Sequence, residues 1–582
     1  MQINNLTLII GGDAGQGVES SGAGFCKALS RAGLHVTSIQ DHRSRIRGGH
    51  NFYLIKTSDK PITSWSEPVH LLVALTAESI EIHRDKMVPG SAVIFDSETT
   101  INTTELEKLS INPVSVPLNQ IAKDVGGSSV MANTAALGAV AGLTQFPLKT
   151  IHNVIEENFR KKGANVVESN RQVSQAAYDY VRQNYTFSYQ WQLNPIDAPE
   201  RMVMNGNDGI ALGALCAGCN FISAYPMTPA TSIFLWLTAR AEEFAIVSKQ
   251  TEDEISAINM GIGAAHAGAR VIVPTSGGGF SLMVEALGMA GIMEIPIVIA
   301  LVQRTGPSTG FATRTEQSDL LFAIHASQGE FPRIVIAPGT IEQCFEETGR
   351  AFNLADKYQL PVIIISDATL ASSSRTLEKS AINLSANPID RGKLLTDEQL
   401  YHLSGEYKRY AFAESGISDR ALPGHPKAIF ATTSDEHDEL GHITEDAQNR
   451  IRMQSKRMQK LDTALTDMKP PLRYGPEKAD ITFVCWGATL APVLEAMNRL
   501  NQNNKNTANT LQFIDLWPLP VTKVQPYLEQ AGKLIAVEAN YTGQLAMLIR
   551  MCTGVAVAGK ITKFDGRPIS PEYILSNLKE VR

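Results

Sequence analysis

Short apolar runs alternate with segments of helical periodicity along most of this chain, and this alternation is typical of α/β folds. The pattern is clearest in the middle of the chain, where the apolar runs predict strands at about 221–225, 244–247, 271–273, 295–302, 333–336 and 362–365. Because a helical pattern separates most of these runs, we predict a parallel, doubly wound sheet. Such sheets bind ligands beyond the carboxyl ends of their strands.

The same alternation precedes and follows this region, which predicts three doubly wound α/β domains. We expect these domains at residues 1–190, 200–372 and 471–582, with a linker that contains a long helix at 373–470. Residues 185–200 break the periodicity and carry two prolines, so they are predicted to join the first two domains. One face of the long helix is expected to carry the apolar residues Ile451, Met458, Leu461 and Leu465.

The composition is that of a globular protein, with 43% hydrophobic and 19% charged residues among 582. The longest apolar run, 295–302, is too short to cross a bilayer, and the amino end begins as a strand without the basic segment of a signal peptide. The net charge is −7, and no basic stripe is interleaved with aromatic residues. We therefore expect a cytoplasmic protein that partners neither a membrane nor a nucleic acid.

The six cysteines are too few and too dispersed to form a disulfide framework in so long a chain. Only Cys216 and Cys219 form a CxxC pair, and because they lie in an apolar run of helical spacing we interpret them as buried helix cysteines. His437 and His442 fit no metal motif. The sequence therefore predicts no metal site in this chain.

Residues 248–280 place two features of chemical interest at neighbouring strand ends. Thr251 and Glu254 have the spacing of a capping box, which predicts the start of a helix. A short apolar strand follows that helix and leads into a turn of three glycines, Gly277, Gly278 and Gly279. This arrangement predicts a carboxylate and a glycine turn at the ligand-binding edge of the sheet.

Two other strand ends carry unusual residues. Tyr225, Pro226 and Thr228 follow one predicted strand, and Arg304 follows another. Prolines, glycines and hydroxyls after strands favour a rigid pocket lined by backbone atoms. Arg304 is a suitable partner for a carboxylate, because a guanidinium group donates paired, charge-assisted hydrogen bonds.

The first strand leads into a turn that contains Gly12, Gly15 and Gly17, and a helix follows. Backbone N–H groups in such a turn cradle a phosphate, but the spacing is not that of the GxGxxG fingerprint, and a tight turn without a ligand is the alternative. The loop at 41–50 carries arginines at 43, 45 and 47 and two histidines. This loop is either an anion site or a solvated basic loop.

Three strings in the middle of the chain resemble the α subunit of 2-oxoacid:ferredoxin oxidoreductases. They are Tyr225-Pro-Met-Thr-Pro, the stretch 274–288 with Ser276-Gly-Gly-Gly, and the stretch 306–320 with Thr313-Arg-Thr-Glu-Gln. The amino-terminal segment, with its Gly-Gln-Gly turn and Ile46-Arg-Gly-Gly-His, resembles that family's γ domain fused ahead of α. The resemblance implies a γ-type domain, a pyrimidine-binding domain and a transketolase C-terminal-like domain.

The family decarboxylates a 2-oxoacid on thiamine diphosphate and passes electrons through iron–sulfur clusters to ferredoxin, releasing acyl-CoA. By resemblance, Glu254 contacts the aminopyrimidine ring of the cofactor. The other cofactor-binding candidates that the resemblance implies are Tyr225, Pro226, Gly277, Gly278 and Gly279.

The resemblance also assigns substrate contacts. Thr228 and Arg304 would hold the carboxylate and the 2-oxo group and, with Glu254, form the catalytic set. Thr313 would line the same pocket. Further candidates are Arg45 and Arg47 for the distal end of the substrate, and Gly12, Gly15 and Gly17 for coenzyme A.

Some features of the family are missing from this sequence. Met227 and Ala230 replace commoner residues, and Ser276-Gly-Gly-Gly replaces the commoner Ser-Gly-Pro-Gly. The stretch Asn207-Asp-Gly lacks the first glycine and the downstream asparagine of a magnesium–diphosphate motif, and no cysteines are spaced for a cluster. The resemblance therefore implies a β subunit that supplies Mg²⁺ and a 4Fe–4S cluster, ferredoxin as acceptor, and an (αβ)₂ heterotetramer.

The leading hypothesis is oxidative decarboxylation of 2-oxoglutarate to succinyl-CoA, or the reverse carboxylation, because the arginines at 43, 45 and 47 suit the second carboxylate of a dianion. The alternatives are a pyruvate or branched-chain 2-oxoacid enzyme, a thiamine-dependent subunit without electron transfer, and a non-catalytic subunit that binds CoA or a nucleotide.

In the non-catalytic alternative, Glu254 only caps a helix. A side chain cannot easily cap its own helix and also reach a cofactor ring. We therefore predict that Glu254 points out of the helix into the pocket, opposite the glycine turn. Glu252 and Asp253 are then left to favour the positive end of the helix.

Overall fold

A computed structural model describes residues 1–41, 49–185, 187–503 and 507–581. The chain divides into two compact units, which are treated separately below. The first unit comprises Met1–Met204, Ser372–Ala381 and Ser570–Glu572, and the second comprises Asn205–Ala371, Ile382–Ile569 and Tyr573–Arg582.

An eight-stranded mixed sheet forms the centre of the first unit. In spatial order its strands are Asn112–Val116, Met87–Asp96, Val69–Ala74, Leu6–Asp13, His50–Ser58, His35–Asp41, Arg375–Glu378 and Arg201–Met204. The first four strands are parallel, whereas His50–Ser58 runs antiparallel to both of its neighbours. The strands Gln2–Ile3 and Trp191–Gln192 form a separate parallel pair.

Helices pack on both faces of this sheet, and the central strands are buried along nearly their whole length. The helices are Val18–Arg31, Ala77–His83, Thr103–Lys108, Leu118–Gly126, Ala132–Thr144, Leu148–Phe159 and Ala164–Asn184. Short 3₁₀ turns lie at Arg84–Lys86, Ser129–Met131, Arg160–Lys162 and Lys379–Ala381.

A seven-stranded sheet forms the centre of the second unit, and six of its strands are parallel. In order they are Val247–Gln250, Phe221–Ala224, Val271–Thr275, Ile297–Gln303, Pro361–Asp367, Ile334–Ile336 and the antiparallel Asp515–Trp517. The helices of this part are Gly206–Cys216, Thr231–Thr238, Glu254–His266, Gly277–Ile292, Leu320–His325, Ile341–Tyr358, Ala368–Ser372, Asp397–Tyr401 and Ala447–Ala464.

The carboxy-terminal part of the second unit contains a five-stranded sheet. Its strands, in order, are Leu472–Tyr474, Ala508–Gln512, Ile481–Cys485, Lys533–Glu538 and Gly559–Thr562, of which only the first is antiparallel to its neighbour. The 3₁₀ turn Gly487–Thr489 and the helices Leu490–Asn503, Val521–Glu529, Gln544–Thr553 and Pro571–Leu578 complete it. The predicted α/β class with mainly parallel sheets is thus confirmed.

The predicted strand at 244–247 is wrong in position. The strand is Val247–Gln250, and Phe244 is exposed before it. This strand lies at the edge of the sheet and its side chains are mostly exposed, so it carries no apolar run for the sequence to reveal. The apolar residues just before it account for the misplaced prediction.

The stretch at 185–200, predicted as a linker, lies within the first unit and is partly buried there. Tyr189, Trp191 and Leu193 belong to the core of that unit. The domain limits proposed from the sequence therefore stay a prediction.

The buried face of the helix Ala447–Ala464 differs from the predicted one. Ile451 is exposed, and the residues that face inward are Met453, Lys456, Arg457, Lys460 and Ala464. The charged ends of these long side chains reach buried partners: Lys456 and Lys460 both contact the carboxylate of Glu294. Periodicity of apolar residues could not indicate a face that is held by ion pairs.

All six cysteines are unpaired. Cys219 is buried, and burial raises the pKa of its thiol to about 12, whereas Cys216 at the end of its helix is half-buried. Within the described ranges, none of the helices combines the length and the apolar character needed to cross a bilayer.

Candidate active site

The glycine turn begins the helix Gly277–Ile292 at the carboxyl end of the strand Val271–Thr275. Ser276 is the N-cap residue of this helix, but its side chain makes no capping hydrogen bond. Ser276 is fully buried, and its Oγ has no hydrogen-bond partner among the described residues. The first N–H groups of the helix have no partner within the helix itself, and this hydroxyl lies at the same end.

Glu254 is the first residue of the helix Glu254–His266, at the carboxyl end of the strand Val247–Gln250. Glu254 is buried, with only 4% of its surface exposed. Within the described part of the chain, its Oε1 has no hydrogen-bond partner. A buried polar atom without a partner is costly, so it marks a position where a ligand is expected.

The capping box predicted from Thr251 and Glu254 is wrong. Asp253 is the N-cap residue, and its carboxylate accepts a hydrogen bond from the Ser256 N–H at 2.6 Å. Thr251 Oγ1 instead donates to the Asp253 carbonyl at 2.8 Å. Because Asp253 satisfies the helix end, the Glu254 carboxyl is free to point elsewhere, as the second prediction for this stretch expected.

Glu254 and the glycine turn are in direct proximity. A Cβ atom built on Gly279 would lie 2.7 Å from both Cγ and Oε1 of Glu254, and 2.2 Å from Thr275 Oγ1. A side chain larger than hydrogen therefore does not fit at position 279 without displacing the carboxyl. Gly278 in contrast has open space around it.

Arg304 follows the strand Ile297–Gln303 and faces the same region. Its Nη1 donates to the Thr228 carbonyl at 2.9 Å, and its Nε has no partner within the described residues. Burial lowers the pKa of Arg304, and the attraction of Glu254 opposes this shift. Arg304, Glu254 and Thr228 are thus brought together at the strand ends.

The loop with Tyr225, Pro226 and Thr228 follows the strand Phe221–Ala224 and is exposed at these three residues. A residue that sequence reasoning missed supports this loop. Buried Asn207 donates from Nδ2 to the Pro229 carbonyl at 2.9 Å and to Ser232 Oγ at 2.7 Å. Its neighbour Asp208 forms a capping box with Asn205, so this stretch starts a helix.

Thr313 lies in the segment that joins Arg304 to the helix Leu320–His325, where it is half-buried. Backbone hydrogen bonds close this segment on itself, from Thr305 N–H to the Arg314 carbonyl and from Phe311 N–H to the Thr305 carbonyl, both at 3.1 Å. Gln317 anchors it further by donating to the Trp486 carbonyl at 3.0 Å. No contact of the Thr313 side chain with the other site residues was found in the described part of the chain.

Two further acidic residues of this segment, Glu316 and Asp319, were not predicted. Burial, and then the charge of Asp319, raise the pKa of Glu316 to about 7. Burial raises the pKa of Asp319 to about 6. The sequence gives no signal for them, because the burial of both residues and the approach of Asp319 to Gly277 depend on how the segment folds back.

The three glycines proposed for coenzyme A lie in two different places in the first unit. Gly15 and Gly17 line a cavity of about 790 Å³ at the start of the helix Val18–Arg31, together with Gln16, Asn133 and Lys162. Gly12 lies within the strand Leu6–Asp13 instead. Gly15 and Gly17 both have positive φ, at 96° and 74°, which favours glycine there.

The arginines at 43, 45 and 47 lie outside the described residues. Among the residues that the structure describes, there is no group of three or more His, Cys, Asp or Glu side chains arranged to hold a metal ion.

Two parts of the chain match models of known protein families. Residues 212–456 match the family model of the thiamine diphosphate-binding domain of pyruvate flavodoxin/ferredoxin oxidoreductase, and residues 7–180 match the model of pyruvate ferredoxin/flavodoxin oxidoreductase. The first match, together with the α/β fold, places this part of the chain in a class of thiamine diphosphate-binding domains.

Individual relatives are more specific. The chain is 33% identical to the α subunit of a 2-oxoacid:ferredoxin oxidoreductase from Sulfolobus sp., over 97% of this chain and 95% of that one. It is 34% identical to the 2-oxoglutarate synthase subunit KorA of Methanothermobacter thermautotrophicus, over 65% of this chain and 98% of that one.

A solved structure is similar along the whole chain. It is the 2-oxoglutarate:ferredoxin oxidoreductase from Magnetococcus marinus with 2-oxoglutarate, coenzyme A and succinyl-CoA bound, with a TM-score of 0.91, 33% identity and 99% coverage of both chains. The present chain belongs to the 2-oxoacid:ferredoxin oxidoreductase family, as an α-type subunit whose amino-terminal region matches a second family model.

Proposed function

We propose that this chain is the α-type subunit of an enzyme that oxidatively decarboxylates 2-oxoglutarate to succinyl-CoA with reduction of ferredoxin, or that runs the reverse carboxylation. The observation that carries the proposal is the buried carboxyl of Glu254, whose Oε1 lacks a partner among the described residues beside a glycine at which no side chain fits. The choice of 2-oxoglutarate rests on the names of the relatives and on the arginines at 43, 45 and 47.

The residues present fit a thiamine diphosphate cofactor at this position. Glu254 offers a carboxyl oxygen without a partner among the described residues, and the missing side chain at Gly279 lets the start of the helix Gly277–Ile292 approach that carboxyl. When bound, thiamine diphosphate supplies the carbon nucleophile and electron sink for decarboxylation. Glu254 would hold a proton at the ring nitrogen, and the buried position would keep water from competing for that hydrogen bond.

The substrate contacts are proposed around Arg304. Its guanidinium would pair with the carboxylate of the 2-oxoacid, and the bond from Nη1 to the Thr228 carbonyl fixes the direction in which the remaining N–H groups point. Thr228 and Thr313 are proposed to contact the substrate by their hydroxyls. Tyr225, Pro226, Gly277 and Gly278 would complete the wall around the cofactor.

A partner subunit is proposed for the open side of this site. Ile255 and Met260 on the helix Glu254–His266, and Leu282 on the helix Gly277–Ile292, are large apolar residues exposed on the two helices that carry the site. Large apolar residues left exposed on the elements that carry a site support a surface that a partner covers. We propose that a β subunit binds here, supplies Mg²⁺ and a 4Fe–4S cluster, and forms an (αβ)₂ heterotetramer.

Coenzyme A is proposed as the acyl acceptor. Its phosphates would bind the cavity of the first unit that Gly15 and Gly17 line, where Lys162 supplies a positive charge. A subunit that only bound CoA or a nucleotide there would not need a buried Glu254 whose Oε1 lacks a partner among the described residues, which is why the catalytic proposal is favoured.

The experiment is to purify the complex with its partner and to follow ferredoxin or viologen reduction with 2-oxoglutarate, pyruvate and 2-oxoisovalerate. Glu254→Gln keeps the size of the side chain but removes the acid, so turnover should fall by about two orders of magnitude or more. The matched control is Glu252→Gln, an exposed carboxylate two residues earlier, which should retain activity.

Arg304→Ala should raise KM for the 2-oxoacid, since one charged partner of the carboxylate is removed. Retained turnover in Glu254→Gln would contradict the cofactor role. A preference for pyruvate would contradict the substrate assignment, and aldehyde release without electron transfer would favour the non-oxidative alternative.

A further inference from the structure

Asn207 has a place in the structure that its sequence context does not explain. It belongs to the stretch Asn207-Asp-Gly, which lacks residues of a magnesium–diphosphate motif. The structure places it in the first turn of the helix Gly206–Cys216, where only 1% of its surface is exposed. Its Nδ2 donates to the Pro229 carbonyl at 2.9 Å and to Ser232 Oγ at 2.7 Å. Both N–H groups of the amide thus hold the Thr228 segment, which we define as residues 225–232.

The partners of this amide fix its orientation. A carbonyl oxygen accepts hydrogen bonds and cannot donate them, so the amide nitrogen of Asn207 must face Pro229. The amide oxygen, Oδ1, is buried and has no hydrogen-bond partner among the described residues. A buried oxygen in that state is unfavourable for stability. The two hydrogen bonds to the Thr228 segment are therefore the contribution that an asparagine makes at this position.

The helix that carries Asn207 provides a rigid support. Asn205 and Asp208 form a capping box at its start, with hydrogen bonds of 2.9 and 3.0 Å. Gly206 lies so close to a neighbouring backbone that a Cβ atom built on it would be 2.6 Å from the Leu370 carbonyl oxygen. Because close packing holds the start of this helix, the position of the Asn207 amide is fixed before any ligand binds.

Arg304 holds the same segment one carbonyl earlier. Its Nη1 donates to the Thr228 carbonyl at 2.9 Å, directly before the carbonyl that Asn207 holds. Peptide planes are rigid, so only the φ and ψ angles of Pro229 separate these two carbonyls. The proline ring fixes φ, which leaves a single free angle between them. Fixing the Pro229 carbonyl therefore restricts the direction of the Thr228 carbonyl, and through it that of the Arg304 guanidinium.

We propose that Asn207 is a positioning residue for the carboxylate of the 2-oxoacid: it holds the Thr228 segment so that the Thr228 carbonyl keeps the Arg304 guanidinium in its binding orientation. This inference rests on the proposed function. Asn207 does not contact the substrate in this arrangement, and it acts through Pro229 and Thr228. Glu254, the proposed contact of the cofactor ring, lies on a different helix and takes no part in it.

Loss of this support should weaken substrate binding more than it slows the reaction. A guanidinium group that is no longer held in place has to give up its freedom when the carboxylate binds. Removing the contribution of one hydrogen bond corresponds to a rise in KM of about 2- to 10-fold. The kcat should change little, because an interaction that is equally strong in the bound substrate and in the transition state affects KM alone.

The test measures KM and kcat of the purified complex for its 2-oxoacid. Asn207→Asp keeps the size of the side chain, but an ionised carboxylate cannot donate a hydrogen bond, and Asn207→Ala removes the group entirely. Both variants should raise KM and retain kcat. The matched control is Asp208→Ala, which removes a residue of the capping box and leaves the Asn207 amide in place. It weakens the start of the same helix but should keep the KM of the wild type.

Two further measurements separate positioning from a general loss of structure. In a double-mutant cycle, Asn207→Ala should raise KM little further once Arg304→Ala is present, because both changes remove the same contact to the carboxylate. Hydrogen exchange in the Thr228 segment should be faster in the Asn207 variants than in the wild type. Exchange in the helix Glu254–His266, and the affinity for thiamine diphosphate, should stay close to the wild-type values.

An unchanged KM in both Asn207 variants, while the 2-oxoacid is turned over, would overturn the inference and leave the proposed function intact. A rise in KM that is equally large with and without Arg304→Ala would also overturn it. If neither variant folds, Ser232→Ala decides, because it removes one acceptor of the amide at an exposed residue, and an unchanged KM there would contradict the inference. If the wild-type complex turns over no 2-oxoacid, the proposed function itself fails, and this inference fails with it.

Discussion

The ion cluster around Glu294 provides the sharpest stability prediction. Glu294 follows the helix Gly277–Ile292 and is fully buried, with Oε1 at 2.6 Å from Lys456 Nζ and Oε2 at 2.5 Å from Lys460 Nζ. Arg409 donates to its carbonyl at 2.8 Å. Burial raises the pKa of Glu294, but Lys456, Lys460 and Arg409 outweigh it and hold that pKa well below its usual range.

Replacing Glu294 with Gln keeps the volume and removes the only carboxylate that contacts both lysines in the described structure. Removing one partner of a buried ion pair costs about 3–5 kcal/mol, because the remaining charge is left uncompensated in a region of low polarity. We expect the lysines to respond by losing protons. The free energy of unfolding at pH 7 should fall by that amount.

The pH dependence gives an independent check. Burial lowers the pKa of Lys460 to about 7 against the attraction of Glu294, and it also lowers that of Lys456. Above pH 7 the unfolded chain binds more protons than the folded chain, so the free energy of unfolding rises with pH. The rise is about 1.4 kcal/mol per pH unit for each lysine that is neutral in the folded chain, and it ends near pH 10.4, the pKa of an unfolded lysine. In Glu294→Gln, Lys456 becomes neutral as well. The difference in free energy of unfolding between the wild type and the variant should therefore shrink by about 2–3 kcal/mol between pH 7 and pH 9.

The assay is denaturant or thermal unfolding of the variant and the wild type at pH 7 and pH 9, with Glu200→Gln as control. Glu200 pairs with Lys379 at 2.6 Å on the surface, so its loss should leave the unfolding midpoint unchanged. Adding Lys460→Met to Glu294→Gln should restore part of the stability, since one lysine no longer has to lose its proton on burial. A loss below about 1 kcal/mol, or an equal loss at both pH values, would refute the reasoning.

Two further predictions concern the site and the first unit. Gly279→Ala should displace the Glu254 carboxyl, because the new Cβ would lie 2.7 Å from it. The affinity for thiamine diphosphate, measured by calorimetry, should therefore fall. The control is Gly263→Ala, which has open space around it and should bind thiamine diphosphate normally. His83 is buried with its Nε2 at 3.0 Å from His50 Nε2, and burial first, then the charges of His50 and Lys86, lower its pKa to about 3 against the pull of Asp41. Its contribution to the free energy of unfolding should be lost as pH falls from 6.5 towards 3, by at most about 1.4 kcal/mol per pH unit. In His83→Gln the free energy of unfolding should therefore depend less steeply on pH in this range. An unchanged slope would contradict this reasoning.

The sequence predicted the sheet and the strand ends because these depend on local patterns. The runs at 271–273 and 362–365 fall within the buried strands Val271–Thr275 and Pro361–Asp367. It also predicted that Glu254 and the glycine turn would be neighbours, because parallel strands place their carboxyl ends on one edge. The roles of these residues stay predictions.

The features that the sequence did not reveal depend on contacts between distant segments. Asp319 is 42 residues from Gly277, and nothing in their spacing indicates that they touch. The same holds for Lys460 and Glu294, which are separated by 166 residues. A lysine in a helix is normally read as a solvated position, so ion pairs of this kind are invisible to periodicity.

The helix Gly277–Ile292 combines an unfavourable beginning with a strongly held end. Three consecutive glycines, an N-cap serine without a capping bond and a neighbouring Glu254 without a partner among the described residues all weaken its first turn. Directly beyond its last turn, Glu294 is fixed by two lysines of the helix Ala447–Ala464. The local preferences of the sequence are thus unfavourable at the start of the helix, and the contacts that hold it lie at its other end. A 16-residue helix is about 24 Å long, so the ion cluster at Glu294 and the glycine turn beside Glu254 stand at opposite ends of the same rigid element.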